Sequence, residues 1–200
     1  LRATGIADRL IELADSGTSV IGICGGYQML GESILDPDGV ESDVERTRGL
    51  GLLPEVTRFT PEKQTHRVSG YVSEGRGLLK GVTDVSFDGY EIHMGVSAVE
   101  DSTGQHRATS PFRLVRRSGL EVDAPDGSLA GEGWVMGTYV HGLFHNTELR
   151  RGIISQVAAK KGSVLEFGDD AFSQSEQYDK LADLVRRHLN MEDLRRIVGL

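Results

Sequence analysis

Val20-Ile21-Gly22-Ile23-Cys24-Gly25-Gly26-Tyr27-Gln28-Met29-Leu30-Gly31 is the stretch that decides how the chain reads. Ser19 to Ile23 is a short apolar run of the kind that forms a buried strand, and it stops at the only cysteine in the protein. The residues beyond it read as the start of a helix. Gly22, Cys24 and Gly26 fit the spacing G-x-C-x-G, the thiol counterpart of a nucleophile elbow. So sharp a strand-to-helix corner crowds the backbone around its central residue, and glycines two positions to either side relieve that crowding. The sulfur is then held in the open. Unpaired N–H groups at the helix start favour negative charge there, and Gly25 supplies the first of them for an oxyanion. A lone cysteine is most often a small buried hydrophobe. Flanking glycines after an apolar strand reverse that expectation, so Cys24 reads as a nucleophile.

Outward from this corner, Ile6, Leu10, Leu13 and Ala14 fall at helical spacing, with Gly17 where a capping glycine belongs. On the other side Met29, Leu30 and Ile34 are predicted to share one helix. Asp36-Pro37-Asp38-Gly39 has the chemistry of a type I turn, which explains its two aspartates better than a calcium loop does. Residues 49 to 125 read as β-structure. Tyr90, Ile92, Met94 and Val96 alternate onto one face of a strand, and Glu91 and His93 onto the other. A solvated sheet face and a substrate pocket account for that second pair equally well. Trp134 to Val140 is a further apolar strand, ending at His141-Gly142. Asn146 is the expected N-cap of a helix through Leu149, Ile153 and Val157, closed by Lys160, Lys161 and Gly162. Gln177 to Val198 reads as one amphipathic helix, or two broken near Asn190.

A nucleophilic thiol needs a proton acceptor, usually histidine. Of the six histidines, His188 sits among Arg186, Arg187 and Leu189 and reads as solvated, and His66 and His106 lie in polar, exposed stretches. His141 directly follows an apolar strand, and strand C-termini line the active edge of an α/β sheet. It is the expected base, with His93 in reserve. His141 and His145 are four apart, but a zinc site at that spacing needs a Glu beside the first histidine, where Gly142 stands, so no metal is expected.

Two hundred residues suffice for one domain, or one and a small appendage, and 38% hydrophobic with 26% charged residues is ordinary globular composition. A net charge of −8, with the basic pairs scattered, argues against nucleic acid or an anionic membrane as partner. One cysteine and no long apolar run point to a cytoplasmic protein. The opening Leu1, already in a helical pattern, reads as a piece of a longer polypeptide.

Gly-Ile-Cys-Gly-Gly-Tyr-Gln-Met-Leu-Gly at 22–31 resembles the nucleophile motif of class I glutamine amidotransferase domains. Gly-Thr-Tyr-Val-His-Gly-Leu-Phe-His-Asn at 137–146 resembles the histidine motif of the cobyric acid synthase branch. Gly51-Leu-Leu-Pro54, Gly89-Tyr-Glu-Ile-His-Met-Gly95 and the closing Asp179-Lys-Leu-Ala strengthen the match, which spans essentially the whole chain. The resemblance implies an α/β, flavodoxin-like sheet with flanking helices, N-terminally incomplete, with residues 1–200 the C-terminal part of the domain. It implies glutamine as substrate, Cys24 as nucleophile, His141 as its histidine, and Gln28 at the bound glutamine; His93, from the strand reading, is a further candidate for substrate binding. Ammonia would pass to a separate synthetase domain that uses ATP and Mg²⁺ to amidate corrin carboxylates. The carboxylate that many class I enzymes carry two residues after the histidine is here Leu143, so a Cys–His dyad is expected, with low basal activity. Three rival readings stand beside this one: a subunit serving a Mur-ligase-type partner, a thiol hydrolase on the same elbow, and a non-catalytic remnant whose bare sheet edge binds a partner.

Overall fold

The computed structural model describes residues 1–99, 109–168 and 174–199, so His106 lies outside the described residues. The chain divides into two units, Leu1–Glu166 and Phe167–Leu200. The first opens with α1 (Ile6–Asp15), which turns Ala7 and, less completely, Leu10, Ile11 and Ala14 inward. Gly17 takes a left-handed conformation (φ 88°), and Thr18 N–H reaches back to the Leu13 carbonyl at 2.8 Å, closing the helix where the glycine predicted.

β1 (Val20–Ile23) leads into α2 (Gly25–Leu30), and β2 (Ser33–Leu35) follows at once. The helix is thus only six residues long, and Ile34, expected on it, lies on a strand. Pairing wins over helical periodicity here, because β2 is flanked by β3 (Arg46–Arg48), antiparallel, and β4 (Glu55–Val72), parallel. Between β2 and β3 the Asp-Pro-Asp-Gly turn forms as read. Its Asp36 carboxylate accepts the N–H groups of Val40, Glu41 and Ser42 at 2.7–2.8 Å. Burial works to raise that carboxyl's pKa, but the three donors hold it below the usual range.

β5 (Ser86–Val99) forms a long antiparallel ribbon with β4, whose far end carries β6 (Phe112–Arg117) and then β7 (Leu120–Asp126). β8 (Ser128–Ala130), β9 (Val135–Thr138) and β10 (Val140–His141) complete the strands, and α3 (Thr147–Lys160) ends the unit. Two sheets result. One runs β1-β9-β8, with β1 parallel to β9 and at its edge; the other runs β10-β5-β4-β2-β3, with β6 and β7 beyond β4. The larger core gathers Val72, Leu78, Leu79, Phe112, Leu114, Met136, Leu143, Leu149 and Ile153, a smaller one Tyr27, Leu30, Leu53, Val135 and Tyr139.

The expected strand from Trp134 to Val140 is split: β9 belongs to one sheet and β10 to the other. The physical reason is local. The Tyr139 N–H is held by the Asp126 carboxylate at 3.2 Å and the Val140 N–H by Thr138 Oγ1 at 3.0 Å. Side chains, not a partner strand, satisfy the backbone at the crossing. Asn146 also departs from expectation. It precedes α3 without capping it, because its amide is engaged elsewhere: Nδ2 donates to the carbonyls of Asp88, Leu143 and Gly142, and Oδ1 accepts from Asp88 N–H.

The second unit contains α4 (Gln174–His188) and α5 (Met191–Val198). The break predicted near Asn190 is there, and Asn190 Oδ1 caps α5 by accepting the N–H groups of Glu192 and Asp193. His188 is exposed, as read, with Nδ1 against the Leu184 carbonyl. The fold is mixed α/β, with sheets and flanking helices.

Candidate active site

Cys24 sits at the corner between β1 and α2 with φ 54° and ψ −117°, a conformation that an L-residue with a side chain rarely adopts. Such a backbone costs roughly 1–3 kcal/mol and persists only where its surroundings hold it. What holds it is close packing beneath. A Cβ at Gly22 would lie 2.6 Å from Leu30 Cδ1 and 2.7 Å from the Gly26 carbonyl carbon. At Gly26, by contrast, a Cβ would meet no atom within 4 Å. Of the two flanking glycines only Gly22 is required for the approach; the expected relief from Gly26 is absent. Gly25 opens α2 directly after the sulfur-bearing residue, so its N–H lies in the first turn, as read.

Two side chains of this corner reach β5 beyond the point where its pairing with β10 begins at Val140. The half-buried Cys24 thiol donates to the Ile92 carbonyl at 3.3 Å. Gln28, four residues on, is buried and donates its amide to the Met94 carbonyl at 2.9 Å and to the Tyr139 hydroxyl at 3.3 Å. Its nitrogen therefore clamps α2 to the strand and does not project free.

His141 reaches the same strand through β10. Within the antiparallel pair β10–β5, His141 stands opposite Tyr90, and the two rings stack at 5.0 Å with planes 6° apart. Its Nε2 is buried and meets no partner among the described residues. Leu143, where a carboxylate would orient the ring, is sealed in the larger core. The thiol's acceptor and the ring's cross-strand partner are two residues apart on β5, about 7 Å of strand. Cys24 is tied to the segment before His141 as well, since its N–H donates to the Thr138 carbonyl at 2.9 Å. The two strand ends converge, on β5.

His93 lies on the opposite face of β5, with Glu91, and that face is not solvated. Glu91 is 1% exposed and receives a bidentate bond from Arg117 at 2.9 and 3.0 Å, whereas three of the four apolar members, Tyr90, Ile92 and Val96, are 41–59% exposed. His93 stacks on Tyr139 at 3.8 Å and its Nδ1 donates to the Gly95 carbonyl, leaving a buried Nε2 without a partner among the described residues. Burial first, then Arg117 and His141, lower its pKa against the raising pull of Gly95 and Glu91. A cavity of about 360 Å³ opens here, lined by His93, Glu91, Arg117, Tyr139, Gln64 and Asp126 among others. Asp126 is pushed up to about 6, chiefly by burial, against the lowering bonds from Thr138 and the Tyr139 N–H. Of the remaining histidines, His66 is held by Ser118 and Gln64. No three His, Cys, Asp or Glu side chains gather into a metal-binding group among the described residues.

Residues 1–149 match the sequence profile of the CobB/CobQ-like glutamine amidotransferase domain. The chain belongs to that family. The amidotransferase chain is 40% identical over 199 residues to the cobyric acid synthase of Dehalococcoides mccartyi, and 43% identical over 202 residues to that of Moorella thermoacetica. In both cases all of this chain is matched but only 38% of the relative, so the chain spans well under half the length of these proteins. The structure of PurLQS from Thermotoga maritima shares the fold, with TM-score 0.51 at 15% identity over 78% of this chain and 68% of that one.

Sequence reasoning did not single out Tyr90, Tyr139 or Asp126 as neighbours of the candidate residues. Tyr90 carried a signal, because it heads the alternating run that also bears Glu91 and His93. Asp126 and Tyr139 carried none, since what places them is a crossing between two sheets.

Proposed function

We propose that this chain is the glutaminase portion of a cobyric-acid-synthase-type enzyme. The observation that carries the reading is the strained Cys24 at the strand–helix corner, its half-buried thiol on the same strand that His141 faces. In this mechanism the Cys24 sulfur attacks the carboxamide carbon of glutamine while His141 takes the thiol proton. The oxyanion forms beside the Gly25 N–H. Collapse breaks the C–N bond, and the proton held on His141 goes to the departing ammonia. A water, deprotonated by the same imidazole, then hydrolyses the γ-glutamyl thioester to glutamate and the free thiol. Glutamine would be held near β5, with the Gln28 side-chain carbonyl oxygen and His93 as candidate further contacts.

Released ammonia would serve a synthetase portion that amidates corrin carboxylates with ATP and Mg²⁺. The present chain does not fit that group: it has no G-x-x-x-x-G-K-[ST] run and, among the described residues, no metal-binding cluster. No step here runs through it.

The test is covalent labelling by a diazoketone analogue of glutamine, followed by mass spectrometry of the intact chain. One adduct on Cys24 is expected, blocked by glutamine, unaffected by peptides, and lost completely in Cys24→Ala. Blocking by peptides would favour a thiol hydrolase instead, and an adduct elsewhere would remove the assignment of Cys24.

A further inference from the structure

The reading of Cys24 and His141 leaves one question of geometry: what fixes the plane of the imidazole. No carboxylate among the described residues is bonded to the ring, and the position where one would be expected holds the buried Leu143. The backbone is well held. A Cβ at Gly89 would lie 2.5 Å from both the His141 carbonyl oxygen and Val140 Cγ1, so β10 lies as close to β5 as only glycine permits. Asn146 staples the following loop back to Asp88, as described above. What these clamps leave open is rotation about the two side-chain torsions of His141. Among the described residues, the Tyr90 ring is a neighbour placed to bear on those rotations. The Tyr90 ring, directly across the strand pair, lies parallel to the imidazole within 6°. The loop at Gly142 passes beside the same ring, since a Cβ there would stand in ordinary contact, 3.7 Å, with Tyr90 Cε1.

We propose that Tyr90 is the positioning residue of His141, its aromatic face fixing the plane of the imidazole where no carboxylate does so. The proposal rests on the reading of His141 as the base for Cys24. Cross-strand aromatic neighbours interact face to face or edge on, and they do so without moving a proton. Tyr90 thus orients the base and takes no part in the chemistry. The stacked arrangement also leaves both ring nitrogens of His141 free of bonds to Tyr90, so Nε2 stays available.

The test compares Tyr90→Phe, Tyr90→Leu and His141→Ala in this chain by two measurements. One is the ¹³C relaxation of the His141 ring; the other is the labelling of Cys24 by the diazoketone, separated into its saturating rate and half-saturating concentration. Tyr90→Leu is expected to loosen the ring and to lower the saturating rate about tenfold, with the half-saturating concentration within about twofold. Tyr90→Phe, which keeps the aromatic face, is expected to restore the rate to within about threefold of the parent. A Leu variant with unchanged relaxation and rate overturns the proposal, and so does one that changes only the half-saturating concentration, which would make Tyr90 a wall of the substrate site. If His141→Ala labels as fast as the parent, the reading of the base falls and the catalytic part of the proposal with it. Should the parent chain take no label at all, the dyad reading fails while the relaxation comparison still decides whether Tyr90 holds the ring.

Discussion

Cys24 and His141 each stand where an apolar strand stops, yet the two stops are built differently. At Cys24 the chain turns by backbone strain: a side chain in left-handed territory, braced by the contact of Gly22 with Gly26 and Leu30. At His141 the chain turns without strain at the imidazole. Asp126 and Thr138 take over the N–H groups of Tyr139 and Val140 and hand the strand from one sheet to the other. The first device is local and compact, and it tolerates little change in a few residues. The second depends on a carboxylate from another strand and so inherits that carboxylate's protonation. If Cys24 is the nucleophile and His141 the base, as proposed, the first device holds the sulfur rigidly and the second delivers the imidazole to β5, where its plane must still be fixed.

The sharpest way to break this contrast is at the two glycines. Gly22→Ala is expected to cost about 3 kcal/mol or more in urea unfolding, because its methyl would enter backbone, while Gly26→Ala stays within about 0.5 kcal/mol. Equal costs at the two positions would mean that the corner is not braced as described. Next in size is the pH dependence of the second device. The Asp126 carboxyl is raised to about 6 in the folded chain, above its unfolded value, so its contribution is whole below the unfolded pKa and is lost as pH rises through 6. Relative to Asp126→Asn, the stability of the parent should therefore fall between pH 4 and pH 7, by up to about 3 kcal/mol. A difference that stays flat across that range would remove burial as the dominant influence on Asp126.

Two smaller effects sharpen the picture. Tyr139→Phe removes a hydroxyl bonded to Ser97 at 2.7 Å and to Gln28 at 3.3 Å, and should lower stability by about 1–2 kcal/mol. Cys24→Gly should do the opposite, gaining about 1 kcal/mol as the strained side chain disappears, at the cost of all labelling. Thermal unfolding of both variants checks the signs.

The difference between the two stops also explains what could be read from the sequence. The elbow was legible because everything that makes it lies within ten residues: apolar run, cysteine, glycine, helix start. His141 was legible as the end of an apolar run. That this run is split between two sheets was not, because the split is made by Asp126, and nothing near residue 139 names it. Glu91 and His93 show the same limit. Alternation placed them on one face of a strand, but only the Arg117 guanidinium from β6 and the Tyr139 ring from beyond β9 decide that this face turns inward. Ile34 was misplaced because helical spacing is a local signal and strand pairing on both sides is not. Asn146 had the right chemistry for a cap and found a partner across the sheet instead.

The crossing at Tyr139 has a mechanical consequence. Ile23 is registered against Thr138 in the smaller sheet, and His141 against Tyr90 in the larger one. Residues 139 to 141 are therefore a gauge block between two plates, transmitting any slippage of one against the other to the proposed pair, Cys24 and His141. Adding or deleting a single residue in that block would leave both plates standing and rotate the imidazole to the wrong side.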